Sequence, residues 1–245
     1  MLQQMLKSRF FSHSEQRLLW WCAALLLVSN LPAIAFAGDG SPFSLRAGWI
    51  RIDADSVKGS VALNGSEVPG ATLTLDDVDQ GGLFLSWELT PTLAVETLVS
   101  TPIKIDINAG GGLLGSRYKA AEAKVLPLTL LGRYTPTWQW HGLRPFVGAG
   151  AAYIYFDGAK TTAAFDLQAA GLGAFNPRVE TDNHWRAILE VGADWNFSPR
   201  SFLNVTWLYF QGETPINVLF DGGVTLHSQV SYAPSFYALT VGHRF

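Results

Sequence analysis

Eight charged residues could pair with one another inside a folded chain, because each alternates with apolar neighbours along an extended stretch. In 184–197 (HWRAILEVGADWNF), Glu190 and Asp194 lie on one face of a predicted strand, and Trp185, Leu189 and Trp195 lie on the other. In a narrow interior with little water an unpaired charge is costly, so we expect the arginines and carboxylates to form a network. The set is Arg46, Glu88, Glu96, Arg133, Arg144, Glu190, Asp194 and Arg244.

Catalytic chemistry finds little support in the sequence. His227 and Ser228 are adjacent, so on a strand they point to opposite faces, and no acid is placed to orient the histidine. His184 and His243 have no serine two positions away. The scattered histidines suggest no metal site, and the glycines at 110–112 lack the strand–loop–helix setting of a phosphate site. The sequence therefore predicts neither an enzyme nor a cofactor or metal site.

The apolar face of 184–197 fits two kinds of fold. In a soluble sandwich it would meet a core, whereas in an outer-membrane barrel it would meet lipid while the polar face lines the lumen. Aromatic residues near both ends of this face favour the barrel, since Trp and Phe collect where hydrocarbon meets headgroups.

The start of the chain indicates export. Lys7, Arg9 and Arg17 precede an apolar stretch at 18–28 that is too short to span a bilayer, and Ala35-Phe36-Ala37 fits a cleavage site. We therefore predict a signal peptide over 1–37 and a single domain over 38–245. The only cysteine lies in the predicted signal peptide, so the exported chain would have no disulfides.

The composition also favours a barrel. The chain has 245 residues, of which 48% are hydrophobic and only 15% charged, with nine tryptophans. No stretch after the predicted signal peptide is long and apolar enough for a spanning helix, whereas a barrel distributes its apolar band over alternate residues. The net charge is −3, so the chain lacks the basic charge that is typical of proteins that bind nucleic acids.

Strand candidates are joined alternately by long and short gaps. Outer-membrane barrels have an even strand count, long extracellular loops and short periplasmic turns, so we predict an all-β, eight-stranded antiparallel transmembrane β-barrel of the bacterial outer membrane. A short helical turn is predicted around 165–170. The predicted strands are 43–53, 80–89, 93–107, 122–135, 143–156, 184–197, 201–211 and 228–245, and the long loops are 54–78, 108–121, 157–183 and 212–227.

The last strand carries a separate signal. Tyr237, Leu239, Val241, His243 and Phe245 alternate and end on a terminal Phe. Such an ending resembles the signal recognised by the barrel-assembly machinery, although any edge strand could end in this way.

Five short stretches, in order, resemble the outer-membrane protein W (OmpW) family. They are Glu88–Glu96 (ELTPTLAVE), 100–104 (STPIK), 126–129 (LPLT), 144–150 (RPFVGAG) and 241–245 (VGHRF). His243 stands where the family usually has Tyr, Leu128 stands where a second Pro is common, and the loops are not matched. The resemblance implies an AlkL-like eight-stranded barrel with a narrow hydrophobic channel for small apolar molecules, which could be released sideways into the membrane.

Inward positions divide the lumen into two parts. Near the periplasm they are the eight charged residues above, with Glu190 nearer the middle; this set, the ionic plug, would either block ions or simply stabilise the barrel. Nearer the outside they are apolar and would either bind an apolar ligand or fill the barrel. The apolar set is Ile50, Ile52, Ile154, Phe156, Ile188, Leu208, Phe210, Tyr232 and Phe236.

A solute stopped by the ionic plug would have to leave through the wall. Proline lacks the N–H that a sheet ladder needs, and Pro102, Pro127, Pro145 and Pro234 all fall within predicted strands. Pro127 and Pro145, on adjacent strands, mark a candidate lateral gap. The alternative is that these prolines occupy bulges or non-hydrogen-bonded positions without a functional role.

Two functions remain open at this point. The first is passive uptake of small hydrophobic molecules by a monomer that contacts outer-membrane lipids and small apolar solutes, with no nucleic acid. The second is a non-conducting adhesin, receptor or structural anchor that works through its loops. The loop over 157–183 contains Phe165, Leu167, Leu172 and Phe175, which could wall a pocket or bind a partner.

Overall fold

The computed structural model describes residues 41–54, 58–171, 173–210, 212–221, 223–232 and 234–245, so the predicted signal peptide lies outside the described residues. It contains one α-helix, α1 (Ala163–Gly171), and a 3-10 turn at Gly112–Leu114. The strands are β1 (Phe43–Asp53), β2 (Lys58–Leu63), β3 (Ser66–Leu75), β4 (Val78–Glu88), β5 (Leu93–Ser100), β6 (Ile103–Gly110), β7 (Tyr118–Tyr134), β8 (Leu143–Thr161), β9 (Arg178–Thr181), β10 (His184–Asn196), β11 (Ser201–Phe210), β12 (Gly212–Leu219), β13 (Thr225–Tyr232) and β14 (Ser235–Arg244).

Eight of these strands close into a barrel. The order around the ring is β1, β4, β5, β7, β8, β10, β11 and β14, and β14 pairs back with β1. Every neighbouring pair is antiparallel. The prediction of an all-β, eight-stranded antiparallel barrel is confirmed. Among the described residues, no helix has the length and apolar character needed to span a bilayer.

The apolar faces point outward. On β10, Trp185 is 65% exposed and Leu189 and Trp195 are about half exposed, whereas Glu190 and Asp194 are buried. Aromatic rings pack in pairs at both ends of this strand, with Trp185 against Tyr153 and Trp195 against Phe197. The direction of the side chains is therefore that of a barrel with a lipid-facing surface, as the alternation predicts.

Strands run through all four predicted long loops, which corrects the sequence analysis. The sheet continues beyond the barrel from the extracellular end of β7, residues 118–125, through β6, β3, β2, β13 and β12 to β9. This extracellular extension has its own apolar core, in which Phe165 of α1 stacks on Phe220. Many of its strands are rich in glycine and polar residues, so apolar alternation is confined to short runs such as Ala71, Leu73 and Leu75 of β3. The predicted helical turn at 165–170 is confirmed as α1.

Two predicted barrel strands are each divided into two. The third is β5 and β6, with Thr101 and Pro102 between them, and the eighth is β13 and β14, with Pro234 before β14. Pro102 and Pro234 therefore lie between strands rather than inside them. The reason is that proline has no N–H to give to a ladder.

A charge on the outward face should destabilise the barrel. Leu189 lies between the outward Trp185 and Trp195, so L189R places a cation in the apolar band of the bilayer and should lower the free energy of unfolding by about 2–4 kcal/mol. Urea unfolding in lipid vesicles, followed by tryptophan fluorescence, measures it. The matched control L63R, in the extracellular extension, should change it by less than about 0.5 kcal/mol. Equal effects of the two substitutions would contradict the proposed orientation.

Candidate functional site

The upper part of the barrel interior is an apolar cluster. Eight of the nine predicted apolar lumen residues point inward and pack together; the side chain of Tyr232 lies outside the described residues. The rings of Phe210 and Phe236 are 4.6 Å apart. The side chains fill the barrel at this level. The lumen cluster comprises Ile50, Ile52, Phe84, Leu98, Ile103, Val125, Leu131, Ala152, Ile154, Ile188, Leu208, Phe210, Phe236 and Ala238, with Phe156 packed against it.

Below this cluster, Glu96 is the centre of the ionic plug. Its carboxylate pairs with Arg46 through one oxygen, and its other oxygen accepts a hydrogen bond from Ser86 at 2.6 Å and lies 3.4 Å from Arg133. Arg46 also donates to Thr206 Oγ1 at 3.1 Å. Arg46 and Glu96 are almost wholly buried, so the charges are compensated within the barrel rather than by water.

Asp194 is the centre of the lower half of the plug. It pairs with Arg133, accepts a hydrogen bond from Asn204 at 2.6 Å and lies 3.6 Å from Arg244. Arg244 in turn lies 3.7 Å from Glu88 at the periplasmic mouth. One connected network therefore links Arg46 at the top of the plug to Glu88 at its lower rim.

Aromatic rings pack against the guanidinium groups of two arginines in the plug. The guanidinium of Arg133 lies 3.5 Å from the ring centroid of Phe146, and that of Arg46 lies 4.4 Å from Phe84. Phe146 lies across Gly192 on the next strand, where a Cβ atom would come within 2.4 Å of the ring. Glycine is therefore required here, because it leaves the space that the ring occupies. A desolvated cation over a ring gains further electrostatic stabilisation.

Glu190 forms the boundary between the plug and the lumen cluster. Its carboxylate lies 3.6 Å from Arg46, but neither oxygen has a hydrogen-bond partner among the described residues. On β10 the next inward residue toward the outside is Ile188, which belongs to the lumen cluster. This placement agrees with the prediction that Glu190 lies nearer the middle than the other charged residues.

Arg144 is the one predicted plug residue that joins no ion pair among the described residues. It lines a small cleft that is open to solvent at the periplasmic end. Glu88 and Arg244 line the same cleft. The structure thus brings seven of the eight predicted residues into one network and places the eighth at its mouth.

The barrel wall is interrupted directly above the plug. The ladder between β5 and β7 has only four pairs, from Leu93–Tyr134 to Glu96–Leu131. Each of the other seven barrel ladders has seven to thirteen pairs. Pairing resumes only at Ile103–Val125, on β6. Residues 97–102 thus face 126–130 without ladder pairs, and we call this segment the wall break.

Thr129 holds the two sides of the wall break together. Its Oγ1 accepts a hydrogen bond from the Leu98 N–H at 2.8 Å, and its carbonyl accepts one from Thr97 Oγ1 at 2.7 Å. Two bonds that involve side chains therefore stand where ladder bonds are missing. Pro127 lies within the wall break, with its side chain buried, and Pro102 ends the opposite side.

Pro145 does not border the wall break. It lies on β8 and is paired with Ala193 of β10 in a ladder that continues on both sides. Of the two prolines predicted to mark a lateral gap, only Pro127 is next to missing pairs.

The histidine and serine considered for hydrolysis do not meet. His227 is exposed and its Nδ1 lies 2.7 Å from Asn217 Oδ1, whereas the buried Ser228 donates to the Ser60 carbonyl at 2.6 Å. The two side chains have separate partners on opposite faces, as the sequence predicts. No group of three or more metal-ligating side chains occurs in the described part of the chain.

A closed barrel with a lipid-facing apolar surface and an interior of paired charges defines the class of outer-membrane β-barrels. The OmpW family model matches residues 39–245, and the chain belongs to the OmpW family. It lies in the outer membrane, as do its relatives.

Comparison with individual proteins agrees with this assignment. Outer membrane protein W of Vibrio cholerae is 28% identical over 227 residues, which is 91% of this chain and 98% of that protein. Outer membrane protein W of Salmonella typhi is 28% identical over 231 residues, covering 91% and 97% of the two chains.

Two solved structures share the fold. The crystal structure of OprG from Pseudomonas aeruginosa is 24% identical with a TM-score of 0.71, covering 83% of this chain and 95% of that one. The solid-state NMR structure of AlkL in lipid bilayers is 18% identical with a TM-score of 0.58, covering 88% and 95%.

An exposed ion pair in the extracellular extension offers a contrast to the plug. Lys119 pairs with Glu122 and lies 2.9 Å from Asp106. Hydrogen bonds to these carboxylates raise the pKa of Lys119, and the bond from Lys119 lowers the pKa of Glu122. Because water screens such pairs, they contribute little to stability.

Removing the central charge of the plug should destabilise the barrel strongly. E96Q leaves Arg46 and Arg133 without their shared carboxylate and should lower the free energy of unfolding by about 3–5 kcal/mol, measured by urea unfolding in vesicles. The matched control E122Q, in the extracellular extension, should give no measurable change. Equal stability of E96Q and the wild type would show that the plug charges are not mutually compensated.

Proposed function

We propose that this OmpW-family barrel is a passive outer-membrane channel for small hydrophobic molecules. The solute enters from the extracellular side, passes through the apolar lumen, stops at the ionic plug and leaves sideways through the wall break. The observation that carries the proposal is the short β5–β7 ladder, whose last pair, Glu96–Leu131, also contains a plug residue. The ionic plug therefore blocks the lumen at the same height at which the barrel wall has the fewest ladder hydrogen bonds.

The composition of the interior supports this route. The residues of the lumen cluster are apolar, so below Arg186, which shares the inward face of β10 with Ile188, a solute meets mainly apolar side chains until it reaches Glu190 and Arg46. The side chains of the lumen cluster must move aside for a solute to pass, because they fill the barrel when no solute is present. A charged solute or an ion would have to cross a plug whose charges are already paired.

The depth of the wall break also supports sideways release. With a rise of roughly 3.4 Å per residue and a tilt of about 40°, the break begins about 10 Å above the periplasmic end of β5, within an apolar band about 25 Å tall. The outward side chains beside it, Val99, Leu128 and Leu130, are exposed and apolar. A solute that leaves here enters the hydrocarbon region directly.

Weakening the wall break should increase uptake. T129V keeps the shape of the side chain but removes the oxygen that accepts from Leu98. Because one hydrogen bond contributes about 0.5–1.5 kcal/mol, uptake of labelled n-dodecane by intact cells should rise about threefold to tenfold. T129S keeps the hydroxyl and should behave like the wild type.

Two further results bear on this proposal. Ion conductance across planar bilayers should be the same for T129V and the wild type, since the plug is unchanged. If cells with the wild-type barrel take up n-dodecane no faster than cells without it, the channel function is wrong. If uptake occurs but T129V does not alter it, the solute leaves by another route.

A second candidate function is attachment to a partner through the extracellular extension. The observation that favours it is the exposure of two apolar side chains there, Leu167 at 77% and Phe175 at 54%. On this alternative, the double variant L167D/F175D should lose adherence to host cells in an attachment assay while its uptake of n-dodecane stays unchanged. Unchanged adherence would remove the support for this function.

A further inference from the structure

A buried hydroxyl without a partner lies at the wall break. The Oγ of Ser100 is buried and has no hydrogen-bond partner among the described residues. Ser100 is the last residue of β5 and shares its inward face with Glu96 and Leu98. On its other side it is paired with Gly82 of β4. The hydroxyl is therefore directed inward, at the point where the solute would leave.

The wall beside Gly82, the strand partner of Ser100, is apolar. A Cβ atom at Gly82 would lie 2.3 Å from Ile50 Cδ1 and 3.4 Å from Leu98 Cδ1, so both side chains crowd this part of the wall. Both belong to the lumen cluster. A hydroxyl buried among such groups destabilises a fold unless something hydrogen-bonds to it, so its presence calls for a partner.

The other hydroxyls of the wall break have different roles. Thr97 and Thr129 are engaged in the two bonds that join its sides. Thr101, between β5 and β6, is exposed and so lies outside the buried interior. The Ser100 hydroxyl has no partner among the described residues, and a serine hydroxyl can both donate and accept, so it is the buried hydroxyl that is available to a solute.

We infer that Ser100 binds the polar group of a passing solute, and that the channel prefers small apolar molecules that carry one uncharged hydrogen-bonding group, such as alcohols. This inference rests on the proposed uptake function and specifies its substrate class. An alcohol that enters the lumen cluster loses its hydrogen bonds to water, and Ser100 restores one beside the exit. An alkane gains nothing from it, and a charged group would find the plug charges already paired.

Uptake of two matched solutes tests the inference. Labelled 1-dodecanol and n-dodecane are supplied separately to intact cells, and the rate without the barrel is subtracted. S100A should lower the uptake of 1-dodecanol about threefold to tenfold, as expected for one lost hydrogen bond, and leave that of n-dodecane unchanged. S100T keeps a hydroxyl and should retain the preference for the alcohol. The control S235A, on β14, removes a half-buried hydroxyl remote from the wall break and should change neither rate.

The outcomes distinguish a failure of the proposed role of Ser100 from a failure of the proposed channel function. If S100A lowers both rates equally or changes neither, the inference is wrong while the channel function stands. If the wild-type barrel accelerates neither solute, both are wrong. A measurement on the wild type guards against misfolding of S100A: titration with 1-dodecanol should shift the NMR amide signal of Ser100 in lipid bilayers more than titration with n-dodecane does. Identical shifts with the two solutes would overturn the inference.

Discussion

The structure depends on closing the ring of backbone hydrogen bonds. Lipid offers no hydrogen-bond partners, so a sheet edge in the bilayer is tolerated only when it is paired or otherwise satisfied. Seven of the eight barrel ladders contain seven or more residue pairs, whereas the β5–β7 ladder contains only four. The hydroxyl and carbonyl of Thr129 then substitute for part of the missing ladder. The wall remains closed there by bonds that are fewer and that involve side chains, so this is where it can open at the lowest cost.

Closure into eight strands also determines what the interior can hold. A ring of this size leaves room for side chains but not for a wide water-filled pore. Charges that point inward must therefore satisfy one another, and the plug does so through Glu96 and Asp194, each of which bonds or pairs with several groups. The apolar residues above the plug need no such compensation, and they can be displaced without leaving a charge unpaired. The division between a fixed ionic floor and a displaceable apolar column thus follows from the size of the ring.

Alternation along single strands was enough to predict the barrel and most of the plug. Arg46, Glu96 and Asp194 are charged residues on faces that must be inward if Trp185 and Trp195 are outward. Alternation also places Phe84 and Ser86 on the face of Glu88, and Phe146 on the face of Arg144. It could not predict which charge each of them contacts, because that depends on the register between strands. The same holds for Asn204, which bonds to Asp194 across the β10–β11 pair. Most extracellular strands were not predicted because their apolar alternation is short and is interrupted by polar residues and glycine. Pro102, predicted inside a strand, lies between β5 and β6.

The unsatisfied polar groups are not spread evenly over the barrel. Six buried side-chain atoms lack a hydrogen-bond partner in the described part of the chain, and four of them belong to Arg46, Glu190 and Ser100. Arg46 and Glu190 lie at the top of the plug, and Ser100 lies at the wall break beside it. A stable barrel with no solute to handle would gain by pairing these groups or by replacing them with apolar residues. These groups lie where the lumen ends and the wall has the fewest ladder bonds. A solute that turns from the lumen into the membrane changes its surroundings at this point. Polar groups without partners are useful there, because the solute can exchange hydrogen bonds with them as it leaves.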